Sequence, residues 1–196
     1  EPYIETLRGL SGVRITEFRS RFYVDGGIAP HVLGYMLFIP EEHLDDYLRL
    51  GYPPDARIGA AGLELSFEAE LAGNYGGSLF LLSEFGEVLS VLASSDSTPG
   101  QSISTTLDKR LQMQLQASLG DLRAAVVVME AATGKVLALV SNPHFDPNAF
   151  NLTETDRSLL DSYFTNPDQP LFNRATQGQY PLGSVFKVIS MSAALE

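Results

Sequence analysis

The sequence contains no cysteine in its 196 residues. That absence excludes disulfides, a thiolate nucleophile, iron–sulfur clusters and every cysteine-based zinc site. Positive charge is scarce as well: 13 Lys and Arg stand against 24 Asp and Glu, a formal net charge of −11. A polyanionic ligand needs a basic stripe, and the few scattered cations here exclude nucleic acid as a partner. There is no apolar run of 18 residues or more, so nothing in the chain has the length to cross a bilayer as a helix. The three histidines, His31, His43 and His144, lie far apart in sequence without metal-ligand spacing, which leaves no metal site to propose. What is present is ordinary globular material, with 44% hydrophobic and 19% charged residues, enough for a packed core in one sizeable domain or two small ones.

The start, Glu1-Pro2-Tyr3, has neither a basic n-region nor an apolar h-region, and the last residues fall inside a helical pattern. Both ends therefore read as cuts through a longer protein. A small-polar run, Ser94-Ser95-Asp96-Ser97-Thr98-Pro99-Gly100, is the best linker signal, placing a boundary between 1–97 and 98–196. In the first part, residues 13–18, 21–24 and 31–39 read as strands, and Pro40 opens a short helix that ends before Gly51. Leu63, Phe67 and Leu71 form one stripe of a helix over 62–72, stopped by Gly73 and read mainly as core. Residues 78–82 and 87–92 read as a hairpin. In the second part, 101–106 is strand-like, Asp108 caps a helix over 109–119, and 125–130 with 135–141 form the clearest hairpin. A long polar connection, 147–180, holds one short helix near 154–163. The fold class is α+β.

The chemistry concentrates at the C-terminal end. Ser184 and Lys187 form Ser-x-x-Lys, and a helix opening at Gly183 puts hydroxyl and amine on one face, a turn apart. A neighbouring neutral amine can take the serine's proton, and the first turn of a helix favours negative charge developing there. Taken alone the spacing is weak, because with three lysines it arises by chance in about one chain in four. By itself, the pair reads first as a capping serine beside a snorkelling surface lysine.

Context separates these readings. Residues 171–187, running Asn173-Arg174-Ala175-Thr176-Gln177-Gly178 and then Tyr180-Pro181-Leu182-Gly183-Ser184-Val185-Phe186-Lys187, resemble the active-site segment of class B penicillin-binding proteins of the elongation type. Gly134-Lys135-Val136-Leu137 through Ser141-Asn142-Pro143, with Phe145-Asp146-Pro147-Asn148, is similar to the family's first transpeptidase hairpin. Thr105-Thr106-Leu107-Asp108 is similar to its Leu-Thr-Ile-Asp element. His31 to Tyr35, Gly51-Tyr52, Ile58 to Glu64 and Phe67-Glu68 are similar to its pedestal. Departures are Leu182 for a second proline, Val185 for threonine and Ala60-Ala61 for Lys-Ser.

The resemblance implies a pedestal, or dimerisation-like, domain of mixed strands and short helices over 1–97. Over 98–196 it implies the incomplete start of an α/β transpeptidase domain. It implies Ser184 as the nucleophile acylated by D-alanyl-D-alanine stem peptides or by β-lactams, with Lys187 as its general base and no cofactor. It further implies a membrane-anchored peptidoglycan D,D-transpeptidase on the outer, periplasmic face of the plasma membrane, partnered by a membrane glycosyltransferase of the elongation machinery. The family's Ser-x-Asn and Lys-Thr/Ser-Gly elements are expected beyond Glu196, so this piece alone is expected to be inactive. A rival reading makes residues 1–97 a non-catalytic module that docks the glycosyltransferase. A β-lactamase or β-lactam sensor sharing Ser-x-x-Lys is disfavoured by the pedestal-like first half. Among the remaining polar residues, Glu64 and Glu68 read as a solvated acidic face rather than a catalytic pair, and Asp45-Asp46 likewise. Asn173 and Arg174 read as braces of the loop before Ser184.

Overall fold

The structure is a computed structural model that describes residues 3, 6–7, 21–151 and 157–195. The strand expected at 13–18 lies outside these residues, as does the start of the helix expected at 154. Residues 21–23 are irregular and lead into a 3-10 turn at Val24–Gly26, so the strand read at 21–24 is corrected. The apolar run 31–39 is also not one strand. Its first part is a helix, α1 (Pro30–Leu33), begun by Ala29 at φ 53° and Pro30 at the first helical position and closed by Gly34 at φ 85°. Gly34 has a packing reason too, since a Cβ there would lie 1.8 Å from the Ala61 carbonyl oxygen. Strand β1 (Met36–Phe38) follows and pairs antiparallel with β2 (Arg57–Gly59), Leu37 opposite Ile58. Between them, a 3-10 turn at Glu41–His43 feeds α2 (Leu44–Arg49), where proline and acidic residues start a helix as expected. Ile39, Ala56 and Ile58 are the buried centre of this half, with Leu44, Tyr47 and Tyr52 packed against them.

The helix expected over 62–72 forms in two pieces, α3 (Gly62–Ser66) and α4 (Glu68–Ala72), broken at Phe67 with φ −122° and ψ 28°. Its acidic face is not solvated. Glu64 is buried and takes two bonds from the Arg21 guanidinium, at 2.9 and 3.1 Å, and one from the Tyr23 hydroxyl at 3.2 Å. Glu68 accepts from the Gly59 backbone N–H at 2.7 Å and from the Tyr52 hydroxyl at 3.0 Å. Both carboxylates tie separate segments together, which the i, i+4 spacing cannot reveal. Burial, reinforced by Glu64, raises the Tyr23 phenol well above its ordinary pKa. The stripe read as core is only partly covered, for Phe67 is exposed.

The first hairpin is as expected, β3 (Gly77–Leu82) with β4 (Val88–Ser95), its turn organised by Ser83, whose hydroxyl accepts from the Phe85 and Glu87 N–H groups. Its apolar side chains are exposed on both faces. The polar stretch 94–100 is bound rather than loose. Strand β4 runs through Ser95, Thr98 and Asn74 exchange backbone bonds at 2.9 and 3.0 Å, and Gln101 N–H donates to Glu70 O.

The second half is organised around one strand. Helix α5 (Lys109–Leu119) starts where Asp108 accepts from the Leu111 N–H at 2.9 Å. Strands β5 (Ala124–Met129) and β6 (Val136–Asn142) pair antiparallel with Val126 opposite Val140. Residues 101–106, expected as a strand, are irregular, yet this segment flanks the outer edge of β6: the Thr106 hydroxyl donates to Val136 O and Asp108 N–H to Leu137 O. The next position on that edge, Leu139, is served by the side chain of Gln112, which is 1% exposed. Its Nε2 donates to Leu139 O and its Oε1 accepts from Leu139 N–H, both at 2.8 Å, so a side-chain amide does the work of a neighbouring strand. Gln116, one turn on, accepts from Ala29 N–H at 3.1 Å and connects the same helix to the first half.

The two halves also share an aromatic cluster. The Tyr35 ring stacks on Phe150 at 3.8 Å, and Phe145 stands edge-on to Tyr35, His31, Phe150 and Tyr163, the last from helix α6 (Arg157–Thr165). Phe145, Phe150, Ala138 and Val140 are all buried. Replacing Gln112 by Leu is expected to leave both backbone groups of Leu139 unpaired in a dry setting, costing about 2–4 kcal/mol in chemical denaturation. An unchanged denaturation midpoint would show that water or a shift of α5 satisfies that edge instead.

Candidate active site

The approach to Ser184 begins at β6. Ser141, buried near the end of that strand, accepts at its hydroxyl from the Arg174 backbone N–H at 2.9 Å and donates to Phe172 O at 3.1 Å. Arg174 is 4% exposed. Its guanidinium donates to the carbonyls of Gln169 (3.1 Å), Phe172 (3.4 Å) and Asp168, and it lies 5.7 Å from the centre of the Phe172 ring. A planar fork of five donors can gather three carbonyls at once, which an ammonium on a flexible stem does poorly. The Asn173 side chain caps the following turn by accepting from Ala175 N–H at 3.1 Å and Thr176 N–H at 3.3 Å. Arg174 and Asn173 therefore brace the loop. Gly178 lets the chain turn tightly, since a Cβ there would meet Arg174 O at 2.4 Å and the Tyr180 ring at 2.5 Å.

From the first half, His31 reaches the same loop. Its Nε2 lies 2.7 Å from Pro170 O, an atom that can only accept, so this nitrogen carries the proton. In the other direction the Asn173 side-chain amide donates to His31 O at 3.3 Å. Burial is the main cause that lowers the imidazole pKa to about 4, with repulsion from His144 and Arg174 adding to it and the Pro170 carbonyl opposing it. His144 packs elsewhere, its Nδ1 3.2 Å from Asn142 Oδ1, and His43 sits in the turn before α2. Neither Ser141 nor His31 stood out in the sequence as part of the site. A serine ending an apolar strand and a lone histidine are ordinary features until the loop they hold is seen.

One backbone turn spans Ser184 to Lys187. Gly183, at φ 54°, opens a 3-10 turn, Gly183–Phe186, in which the Lys187 N–H donates to Ser184 O; helix α7 (Lys187–Leu195) continues from it. Ser184 lies within the 3-10 turn and Lys187 begins the helix, three positions on, a spacing that places residues on one side of a helical backbone. Both are exposed, and among the described residues neither side chain has a hydrogen-bond or ion-pair partner. Around them Leu182, Val185, Val188, Ile189 and Met191 are exposed as well, so α7 carries apolar side chains without a covering layer among the described residues. The arrangement supplies a hydroxyl, an amine and the first turn of a helix; a low-dielectric enclosure would have to come from further chain.

Two family models match the chain: the penicillin-binding protein dimerisation domain over residues 3–105 and the penicillin binding protein transpeptidase domain over residues 124–196. Among curated proteins, the peptidoglycan D,D-transpeptidase MrdA of Acinetobacter baumannii is 36% identical over 94% of this chain and 27% of its own length. MrdA of Escherichia coli K12 is 36% identical over 94% of this chain and 30% of its own length. The chain thus spans less than a third of these relatives. Among solved structures, the penicillin-binding protein PBP2 of Helicobacter pylori, determined in complex with MreC, matches with a TM-score of 0.79 and 25% identity, covering 100% of this chain and 36% of that one. PBP2 of Pseudomonas aeruginosa, determined with WCK 5153, matches with a TM-score of 0.67 and 32% identity over 85% of this chain and 33% of its own.

The His31 environment gives a pH prediction. The unfolded chain takes up this proton near pH 6.5 and the folded one near 4, so the unfolded state binds more protons in between and acid destabilises. Above pH 6.5 the term is absent. As pH falls from 6.5 to 4 it is expected to cost on the order of 2–3 kcal/mol. Urea titrations across that range should show a shallower acid decline for His31→Gln than for the unaltered protein, whereas parallel profiles would refute the assignment.

Proposed function

Since the chain belongs to the penicillin-binding protein family, matching its dimerisation domain in the first half and its transpeptidase domain in the second, we propose that it is part of a class B peptidoglycan D,D-transpeptidase with Ser184 as nucleophile. The observation that supports this reading is the backbone turn running from Ser184 to Lys187 after a braced loop. In the proposed reaction Lys187 accepts the hydroxyl proton as Oγ attacks the carbonyl carbon of the penultimate D-alanine. The amide C–N bond breaks, the terminal D-alanine leaves carrying a proton, and an acyl-enzyme remains on Ser184. The amine of a second stem peptide then displaces the serine and forms the cross-link. A β-lactam enters the same way, its ring C–N bond opening while the nitrogen stays attached.

The same reading divides the chain at 97/98 into a pedestal and the start of the catalytic domain. It places the whole protein on the outer face of the plasma membrane, held by an anchor, and serving cell shape. Its Ser-x-Asn and Lys-Thr/Ser-Gly elements would come from sequence beyond Glu196, supplying enclosure, an oxyanion hole and proton relay. A membrane glycosyltransferase is the proposed partner of the pedestal. The Helicobacter relative was determined in complex with MreC, which supports assembly of the whole protein with a partner.

The test is labelling of the full-length protein by a fluorescent penicillin. Unaltered protein is expected to carry a covalent label, and Ser184→Ala to lose it entirely while melting at the same temperature. Label retained on Ser184→Ala would exclude Ser184 as the acylated residue.

A further inference from the structure

The braced loop is held from one side by the catalytic half, through Ser141 and Arg174, and from the other by His31 of the pedestal. His31 lies in α1, and its ring N–H reaches the carbonyl of Pro170 at 2.7 Å across 139 positions of sequence. Pro170 is itself fully buried. Beside this contact a cavity of about 420 Å³ opens between loop and pedestal, bounded by Tyr35 and Leu63 on one side and Leu171 and Thr176 on the other. Where apolar surfaces do not close on each other, the hydrogen bonds that span the gap decide the distance between them. Two bonds do so here: His31 Nε2 to Pro170 O and Asn173 Nδ2 to His31 O. The edge-on contact with Phe145, ring centres 5.1 Å apart, sets the imidazole plane and aims its N–H.

The loop is short and continuous with the nucleophile. Pro170 is four residues before Arg174, Gly178 folds the chain back over Arg174, and Ser184 follows six residues later. Turn bonds from the Thr176 and Gln177 N–H groups to Asn173 O hold the first part of this segment, and residues 178–182, irregular in backbone, lead from it to the Gly183 turn. We propose that His31 is a positioning residue for acylation of Ser184, its ring N–H fixing the Pro170 carbonyl and, with it, the loop that delivers the nucleophile. This rests on the reading of Ser184 given above. It makes the pedestal part of the catalytic apparatus without touching substrate: a neutral imidazole from the first domain sets where the second presents its hydroxyl. The burial that keeps the ring neutral suits that task, since Nε2 donates while the ring adds no charge beside Arg174.

The experiment uses the full-length protein and stopped-flow acylation by a fluorescent penicillin, which separates the non-covalent dissociation constant from the acylation rate constant and is independent of the fraction folded. His31→Ala and His31→Phe both remove the donor, the second keeping a ring against Phe145, while His31→Gln offers an amide N–H at similar reach. Loss of one such bond near a reacting group is expected to slow acylation about fivefold to tenfold in His31→Ala and His31→Phe, with the dissociation constant little changed. His31→Gln is expected to recover most of the rate. The proposal is overturned if all three variants acylate at the unaltered rate, if His31→Phe recovers the rate, or if only the dissociation constant moves. Ser184→Ala run alongside reads the nucleophile separately: label lost there with unchanged His31 variants rejects the positioning role alone, and label retained there rejects the nucleophile itself.

Discussion

One buried amide holds the second half of this chain in place. Strand β6 has β5 on one side and, on the other, an edge that would lie open if Gln112 did not serve both backbone groups of Leu139. An open edge exposes unpaired N–H and C=O groups and invites pairing with other chains. Covering it with a helix fixes α5 against β6, and the bonds from the Asp108 N–H to Leu137 O and from the Thr106 hydroxyl to Val136 O extend that cover along the strand. Ser141, which begins the approach to Ser184, lies two residues further along the same strand. The position of Ser184 thus traces back through Arg174 and Ser141 to an edge closed by a glutamine.

The two halves are joined by chemistry of two kinds that act at different ranges. Stacked and edge-on rings around Phe145 and Phe150 supply non-directional burial, and their exclusion of water strengthens the polar bonds beside them. Direction comes from side-chain amides and a guanidinium: Asn148 holds both backbone groups of Tyr23 at 2.8 and 2.9 Å, and Arg57 donates to Phe150 O and Asn151 Oδ1. These bonds reach across nearly a hundred residues or more. They make the pedestal a template on which the hairpin and the following loop are set, rather than a spacer with a catalytic domain attached.

The braced loop and the Ser184–Lys187 turn differ sharply in their surroundings. Arg174 is buried and its guanidinium is answered by carbonyls, whereas Ser184 and Lys187 are exposed beside apolar side chains that have no cover among the described residues. Backbone geometry at the turn is local, set by a left-handed glycine and a 3-10 hydrogen bond. The reactivity of a serine–lysine pair is not local, because it depends on desolvation and on donors aimed at the developing oxyanion. The penicillin-binding proteins this chain resembles are more than three times its length, and the proposed chemistry draws on that larger body.

Patterns of short range were readable directly from the residues. The cap at Asp108, both hairpins with their glycine turns, the helix between Pro40 and Gly51 and the turn that joins Ser184 to Lys187 all follow from propensity, spacing and φ preference, which act over a few positions. What needed the folded molecule were contacts between distant segments. The apolar run 31–39 became a helix and then a strand because Gly34 is pressed against Ala61. Residues 101–106 lost a strand partner but lie beside the β6 edge. Glu64 and Glu68, which read as solvated, are tied to Arg21, Tyr23, Tyr52 and Gly59. His31 looked ordinary until Pro170 arrived beside it. Local conformation is decided by each residue's own sterics and its near neighbours. Burial, pairing and the lowered pKa of a histidine are decided by what the chain brings up from far along its length, and no window of sequence contains both partners.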